Sequence, residues 1–300
     1  MFYVRLIYMR YLPKKESGQA LLLVLLSMSV VLTVVLSILA RSTLDIGVST
    51  RSEESVRAFS AAEAGIEQAL VGVLNAGPVD IGNATFNASV TSYSSGVSEF
   101  ILPSSLYSGE SATVWFVSHD PITGNLSCTG PENPCFTGNE IQVCWGKENT
   151  PADLNNTPAI EVSIIYLSTS GDYTTAKIAR VVVDPNDIRR TSNSFSPPSG
   201  GVICEIDSQK FAFKYKFNLV SLGVNTSGLQ LARLAILYNT DMGHPVSVKV
   251  FGGTLPAQGV AINSSGVSGS STRKVEVVRG FKELPGIFEP VVISYGGITK

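Results

Sequence analysis

Residues Ala20 to Ala40 (ALLLVLLSMSVVLTVVLSILA) form an apolar run without a charge, glycine or proline. About 20 such residues match a hydrocarbon core of about 30 Å, so the segment is long enough to cross a bilayer as a single helix. Arg5, Arg10, Lys14 and Lys15 precede it with Glu16 alone opposing them. Positive charge on that side predicts a cytoplasmic N-terminus and export of everything after Ala40. A secretory signal has a shorter apolar region of about 7–15 residues and a small-x-small cleavage site, which Ile38-Leu39-Ala40 matches poorly. The predicted anchor is sampled by Ala20, Leu23, Leu26, Val30, Val34 and Ala40. Ser27, Ser29, Thr33 and Ser37 are tolerated in it because hydroxyls bond to helix carbonyls or across to a neighbouring helix.

The helix is expected to continue past the membrane surface. Arg41 to Gly77 contains no proline, and Val56, Phe59, Ile66, Leu70 and Val73 recur at helical spacing, predicting an apolar seam that packs on the rest of the protein. Asn75, Gly77 and Pro78 supply a stop. A helix over 19–77 would be on the order of 85 Å long at about 1.5 Å per residue, with Gly47 as its expected bend.

The rest of the chain reads as β-structure. Short runs rich in β-branched and aromatic residues alternate with Gly, Pro, Asn and Ser. They are Ser111–Ser118, Glu140–Trp145, Ala159–Leu167, Tyr173–Val183, Lys210–Val220, Leu229–Tyr238, Pro245–Phe251, Gly259–Ile262, Arg273–Arg279 and Ile287–Tyr295. The fold class is therefore α+β: a long N-terminal transmembrane and stalk helix, then an exported, mainly antiparallel β domain. The stretch Asp184–Gly201 is rich in Asn, Ser, Pro and Gly and reads as a linker, which favours two β modules over one large sandwich. The expected organisation is a leader over 1–18, the helix over 19–77, a first module over 78–185, a linker over 186–200 and a second module over 201–300.

With 24 acidic and 22 basic residues, the chain carries no nucleic-acid footprint. Lys210, Lys214 and Lys216 alternate with aromatics, a pattern that suits a solvated face or edge protection better than polyanion binding. Cys128, Cys135, Cys144 and Cys204 all lie in the exported part, where disulfides are expected. Cys128 and Cys135 sit in a short Gly/Pro/Asn loop that a disulfide can close, leaving Cys144 for Cys204, although four cysteines permit three pairings. No CxxC spacing suggests zinc, and no metal or cofactor is expected. HExxH, GxSxG and P-loop motifs are absent from the sequence. His119-Asp120 beside Ser118 reads as a turn before Pro121, so the chain is not expected to be an enzyme. Asn83, Asn87, Asn125, Asn155, Asn225 and Asn263 each open an Asn-x-Ser/Thr triplet, consistent with an exposed surface.

Two flanks of the apolar run carry a resemblance. Lys14-Lys15-Glu16-Ser17-Gly18 followed by Gln19-Ala20-Leu21-Leu22-Leu23 resembles the type III leader of type IV pilins and pseudopilins. Arg57-Ala58-Phe59-Ser60-Ala61-Ala62-Glu63-Ala64-Gly65-Ile66-Glu67 is similar to a segment common in their minor subunits. The resemblance covers roughly the first quarter of the chain. It implies cleavage by a prepilin peptidase between Gly18 and Gln19, methylation of the new terminus and assembly with other pilin-like subunits. Major pilins usually carry Glu at the fifth mature position, where this chain has Leu23, which implies a minor or tip-initiating subunit. The implied function is a structural part of a pilus or pseudopilus, serving assembly, adhesion or substrate contact. The implied location is the cytoplasmic membrane and, after assembly, the cell surface. A different class, a signal-anchored surface protein that binds a ligand without polymerising, fits the same anchor.

Overall fold

A computed structural model of the chain describes residues 19–72, 75–120, 123–130, 133–200 and 203–283. The expected leader over 1–18 with Gly18, the expected seam residue Val73 and the expected strand Ile287–Tyr295 lie outside the described residues.

Helix α1 (Gln19–Gly72) runs without interruption through Gly47 and Gly65. It ends earlier than the proline at 78 suggests, because strand β1 (Ala76–Ile81) already includes Ala76 to Pro78. Just before β1, the Asn75 side-chain oxygen accepts from the Val90 amide at 2.7 Å. Beyond β1 the chain forms β2 (Ala84–Tyr93), β3 (Glu99–Ile101), β4 (Ser111–Trp115), β5 (Ser118–His119) and β6 (Leu126–Ser127). Next come β7 (Glu140–Lys147), β8 (Ala159–Leu167) and β9 (Ala176–Val183), then the short helix α2 (Asp187–Asn193). The chain continues with β10 (Cys204–Ile206), β11 (Gln209–Asn218), β12 (Leu229–Leu237), β13 (Val246–Phe251), β14 (Gly259–Ser268) and β15 (Ser271–Gly280).

Three larger antiparallel sheets result. Their orders are β1-β2-β14-β15, β10-β11-β7-β13-β3 and β4-β12-β8-β9. The second and third face one another as a sandwich. Ile141, Val143, Trp145, Val246 and Val248 from one sheet share a core with Ile160, Val162, Ile164, Leu234 and Ile236 from the other. Trp145 is fully buried there, and its indole N–H donates to the Pro158 carbonyl at 2.9 Å, so its one polar atom is satisfied.

These pairings cut across the expected division into 78–185 and 201–300. Strand β7 is flanked by β11 and β13, and β12 lies between β4 and β8, so strands from both proposed modules alternate within each sandwich sheet. The division the sheets obey is discontinuous. Strands from the two ends of the β region, β1-β2 and β14-β15, build the sheet under α1, and the intervening chain builds the sandwich.

The expected linker is likewise structured. Asn186 caps α2 by accepting from the Arg189 amide, and the buried Asp184 carboxylate receives Arg189 Nε at 2.9 Å and Nη2 at 2.6 Å. Asn193 Nδ2 and the Asn186 amide also donate to that carboxylate. Composition suggests a loop because Asn, Ser and Pro dominate it. The buried acid with its four donors gives the segment a fixed anchor instead.

Candidate functional site: the apolar helix and its seat on the sheet

The first 32 residues of α1 form a bare rod. Every residue from Gln19 to Thr50 is exposed, including Ala20, Leu23, Leu26, Val30, Val34 and Ala40. Ser27, Ser29 and Thr33 turn their hydroxyls back onto the carbonyls of Val24, Leu26 and Val30 at 2.8–2.9 Å, so the run offers no free side-chain donor at those positions. Among the described residues, α1 is the helix long and apolar enough to cross a membrane.

The last turns of α1 seat on the four-stranded sheet through small residues. Ala58, Ala61, Ala62, Gly65, Ile66 and Ala69 are buried. The predicted seam is corrected accordingly. Ile66 is buried and Leu70 half-buried, whereas Val56 is 63% and Phe59 46% exposed. The reason is the depth of contact. A Cβ added at Gly266 of β14 would overlap the Ala58 carbonyl oxygen and come within 2.6 Å of the Ala62 nitrogen. One added at Gly65 would collide with Ser264 Oγ and approach the Phe86 ring to 2.7 Å. Helix backbone and strand backbone approach so closely that alanine and glycine are what fit, and Val56 and Phe59 fall on another face. The small residues at 58, 61, 62, 65 and 69 do carry helical spacing in the sequence. They are the available signal for a helix face without bulky side chains.

Polar contacts bracket this seat at both ends. Glu54 accepts from the amide and hydroxyl of Ser270 in the β14–β15 turn at 3.1 and 3.0 Å, and Arg273 donates to Ser55 Oγ. Arg279 Nη1 donates to the Leu70 carbonyl at 3.1 Å, satisfying one of the orphan acceptors at the helix C-terminus. The helix is therefore held from Glu54 onward and, among the described residues, exposed from Gln19 to Glu53.

The sandwich joins this unit through Gln258, whose side chain accepts from the Trp115 amide and donates to the Trp115 carbonyl. Tyr93 meets Phe100 edge-on with ring centres 5.9 Å apart. Beside this junction lies a cleft of about 700 Å³ lined by Val71, Trp115, His119, Asp120, Arg279 and Phe281, among others. The His119 ring stacks on Phe281 at 4.0 Å and stands edge-on to Trp115, and burial lowers its pKa against a smaller opposing effect of the Val117 carbonyl. Asp120 Oδ1 accepts from the Thr123 amide and hydroxyl, as in a turn, and Ser118 Oγ donates to the Pro134 carbonyl. Asp120 and Ser118 thus have structural partners, whereas His119 has ring contacts and a buried Nδ1 without a hydrogen-bond partner among the described residues.

Disulfides join Cys128 to Cys135 and Cys144 to Cys204, with Cα separations of 5.4 and 6.2 Å. The second fastens β10 to β7 across the intervening β11. Two lysines of β11 have acidic partners: Lys216 pairs with Glu140 at 2.8 Å and Lys210 with Glu148 at 3.4 Å. Among the described residues no group of three or more His, Cys, Asp or Glu side chains is placed to hold a metal ion. No protein-family model matches the sequence, and a search of curated proteins finds no match.

Proposed function

We propose that the chain is a type IV pilin-like minor subunit, a structural component of a pilus or pseudopilus whose β domain is displayed outside the cytoplasm. The observation that carries this reading is the division of labour within one continuous helix. Its apolar N-terminal part is exposed along its whole length among the described residues, and its C-terminal part is built into a sheet by close backbone packing. The exposed stretch over 19–50, uncharged from Ala20 to Ala40, needs a lipid or protein surround, because leaving that much apolar surface in water is strongly unfavourable. The two disulfides support an oxidising compartment for the β domain. The leader-like Lys14–Gly18 and the Leu23 position favour a minor or tip subunit processed between Gly18 and Gln19.

Cell fractionation tests the proposal. The protein should occur in the cytoplasmic membrane and also in filaments sheared from the cell surface. Its absence from every sheared preparation, with the membrane pool intact, would favour the anchored surface protein that does not polymerise.

A further inference from the structure

The sheet β4-β12-β8-β9 has an outer face, turned away from the sandwich core, on which two rows of side chains cross all four strands. Trp115, Leu231, Ile165 and Ile178 stand side by side in one row, and Thr113, Arg233, Ser163 and Arg180 in the next. The alternate residues Val114, Ala232, Ile164 and Val181 lie in the core, which fixes the direction of both rows. The first row is an apolar strip, and the second places a guanidinium in the middle of the sheet.

This face is buried more deeply than its own strands explain. The large described elements pack elsewhere: α1 on the sheet of β2 and β14, and the sheet of β7 on the inner side. Yet Arg233 is 8% exposed. Its neighbours in the row, Thr113 and Ser163, are short, and a long cationic side chain between short neighbours on an open sheet stays largely in water. The Thr113 hydroxyl oxygen is also shut off from water, without a hydrogen-bond partner among the described residues. Burial along the apolar strip is graded. Trp115 is buried, Leu231 and Ile165 are half-buried, and Ile178 on the edge strand β9 is 57% exposed. The cover is therefore deepest at the β4 end.

The β4 end is where the described chain departs. Phe281 stacks on His119, which stands edge-on to Trp115 with ring centres 4.2 Å apart, and the described residues stop at Glu283. The sequence that follows, 284–300, contains Ile287, Phe288, Val291, Val292 and Ile293, with Glu289 as its one acid. Apolar side chains match the strip, and the single carboxylate matches the guanidinium row, where Arg180 already has Glu161 at 3.5 Å. Reach is ample: four strands about 4.8 Å apart span about 15 Å, which roughly five extended residues cross.

We propose that the outer face of β4-β12-β8-β9 is the docking seat of this chain's own C-terminal segment, residues 284–300. Its apolar side chains lie along the strip from Trp115 toward Ile178, and Glu289 faces Arg233, giving the sunken guanidinium a counter-charge. Such docking requires neither the membrane anchor nor filament assembly.

Thiol labelling of the full chain in detergent tests the seat. Ile165→Cys, in the middle of the strip, should react with a water-soluble maleimide at least tenfold faster once Phe288→Asp/Val292→Asp is added. Ile81→Cys, exposed at the end of β1, should label at one rate in both backgrounds. Ser163→Cys, in the neighbouring row, takes the place of Ile165→Cys should that variant fail to fold. Equal rates with and without the aspartates would overturn the assignment. So would protection that grows with protein concentration, which would give the face to the segment of a second copy.

Discussion

Gly266 and Gly65 decide how the stalk meets the domain, and neither owes its place to a turn. Both lie where a methyl group would strike the opposing element. Gly266→Ala forces the helix off β14 and is expected to cost at least about 1–3 kcal/mol, the range for overpacking, because the struck atoms are backbone and cannot rotate away. Urea denaturation measures it, and Gly47→Ala, with open space around the added carbon, should be neutral or slightly stabilising in the same assay. Asp184 is the other residue on which much rests. Burial by itself raises its pKa, but Arg189, the Asn186 amide and Asn193 outweigh burial and hold it below the ordinary value of 3.8. Asp184→Asn leaves Arg189 without its counter-charge and is expected to destabilise by about 3–5 kcal/mol.

His244, with His119 shifted in the same direction, and Asp184 shape the acid response. His244 is buried, its Nδ1 accepting from the Lys147 amide at 3.1 Å, and burial followed by the charge of Lys147 lowers its pKa below 6.5. The unfolded chain therefore takes up a proton near pH 6.5 before the folded chain does, and stability falls as pH drops from there toward the lower folded value. For Asp184 the stabilisation is fully present above its unfolded value and is lost as pH falls through the depressed folded one. Denaturation midpoints should thus decline in two stages, one beginning below about pH 6.5 and one below about pH 4. In His244→Gln the first stage should shrink.

Among the elements, those readable from the sequence are the ones whose stability is local. Strand β8 is found at its predicted bounds, Ala159–Leu167, because β-branched and aromatic residues fill it. Strands β1 and β2 lack that signal: AGPVDI contains Gly-Pro and ATFNASVTSY is interrupted by Asn and Ser. Their place comes from pairing with each other and with β14, and from the helix above. For the same reason β14 runs past the expected Ile262 to Ser268, with Ser264 and Gly266 in its added half lying against α1. The helix face departs from its expected seam because large apolar residues mark a seam only where backbones stay apart, and close backbone approach selects small ones. Since nothing before residue 51 is buried, a chain beginning at Arg51 should fold with a stability within about 0.5 kcal/mol of the full chain and remain soluble without detergent. Circular dichroism with urea titration checks this.

Strand order across the molecule lies beyond the reach of local patterns. Pairing β7 with β13, or β2 with β14, joins segments far apart in the chain, and no periodicity within either segment records its partner. The consequence is that the helix-bearing sheet uses both ends of the β region and encloses the sandwich between them. A force on the stalk therefore reaches a sheet closed by β1-β2 from one side of the sequence and β14-β15 from the other. The Cys144–Cys204 bridge lies within the sandwich, so reducing it should lower sandwich stability by about 2–4 kcal/mol. Proteolysis under reducing conditions should then cut the sandwich before it frees α1 from its sheet.

The proposed role depends above all on α1 being the N-terminal element of a processed, pilin-like subunit, and the mature N-terminus reports on that without intermediaries. Mass spectrometry of the membrane-extracted protein beside a Gly18→Ala variant should show a chain starting at Gln19 in the native protein and an unprocessed chain in the variant. An intact leader in both would refute the pilin-like reading and leave an ordinary anchored surface protein.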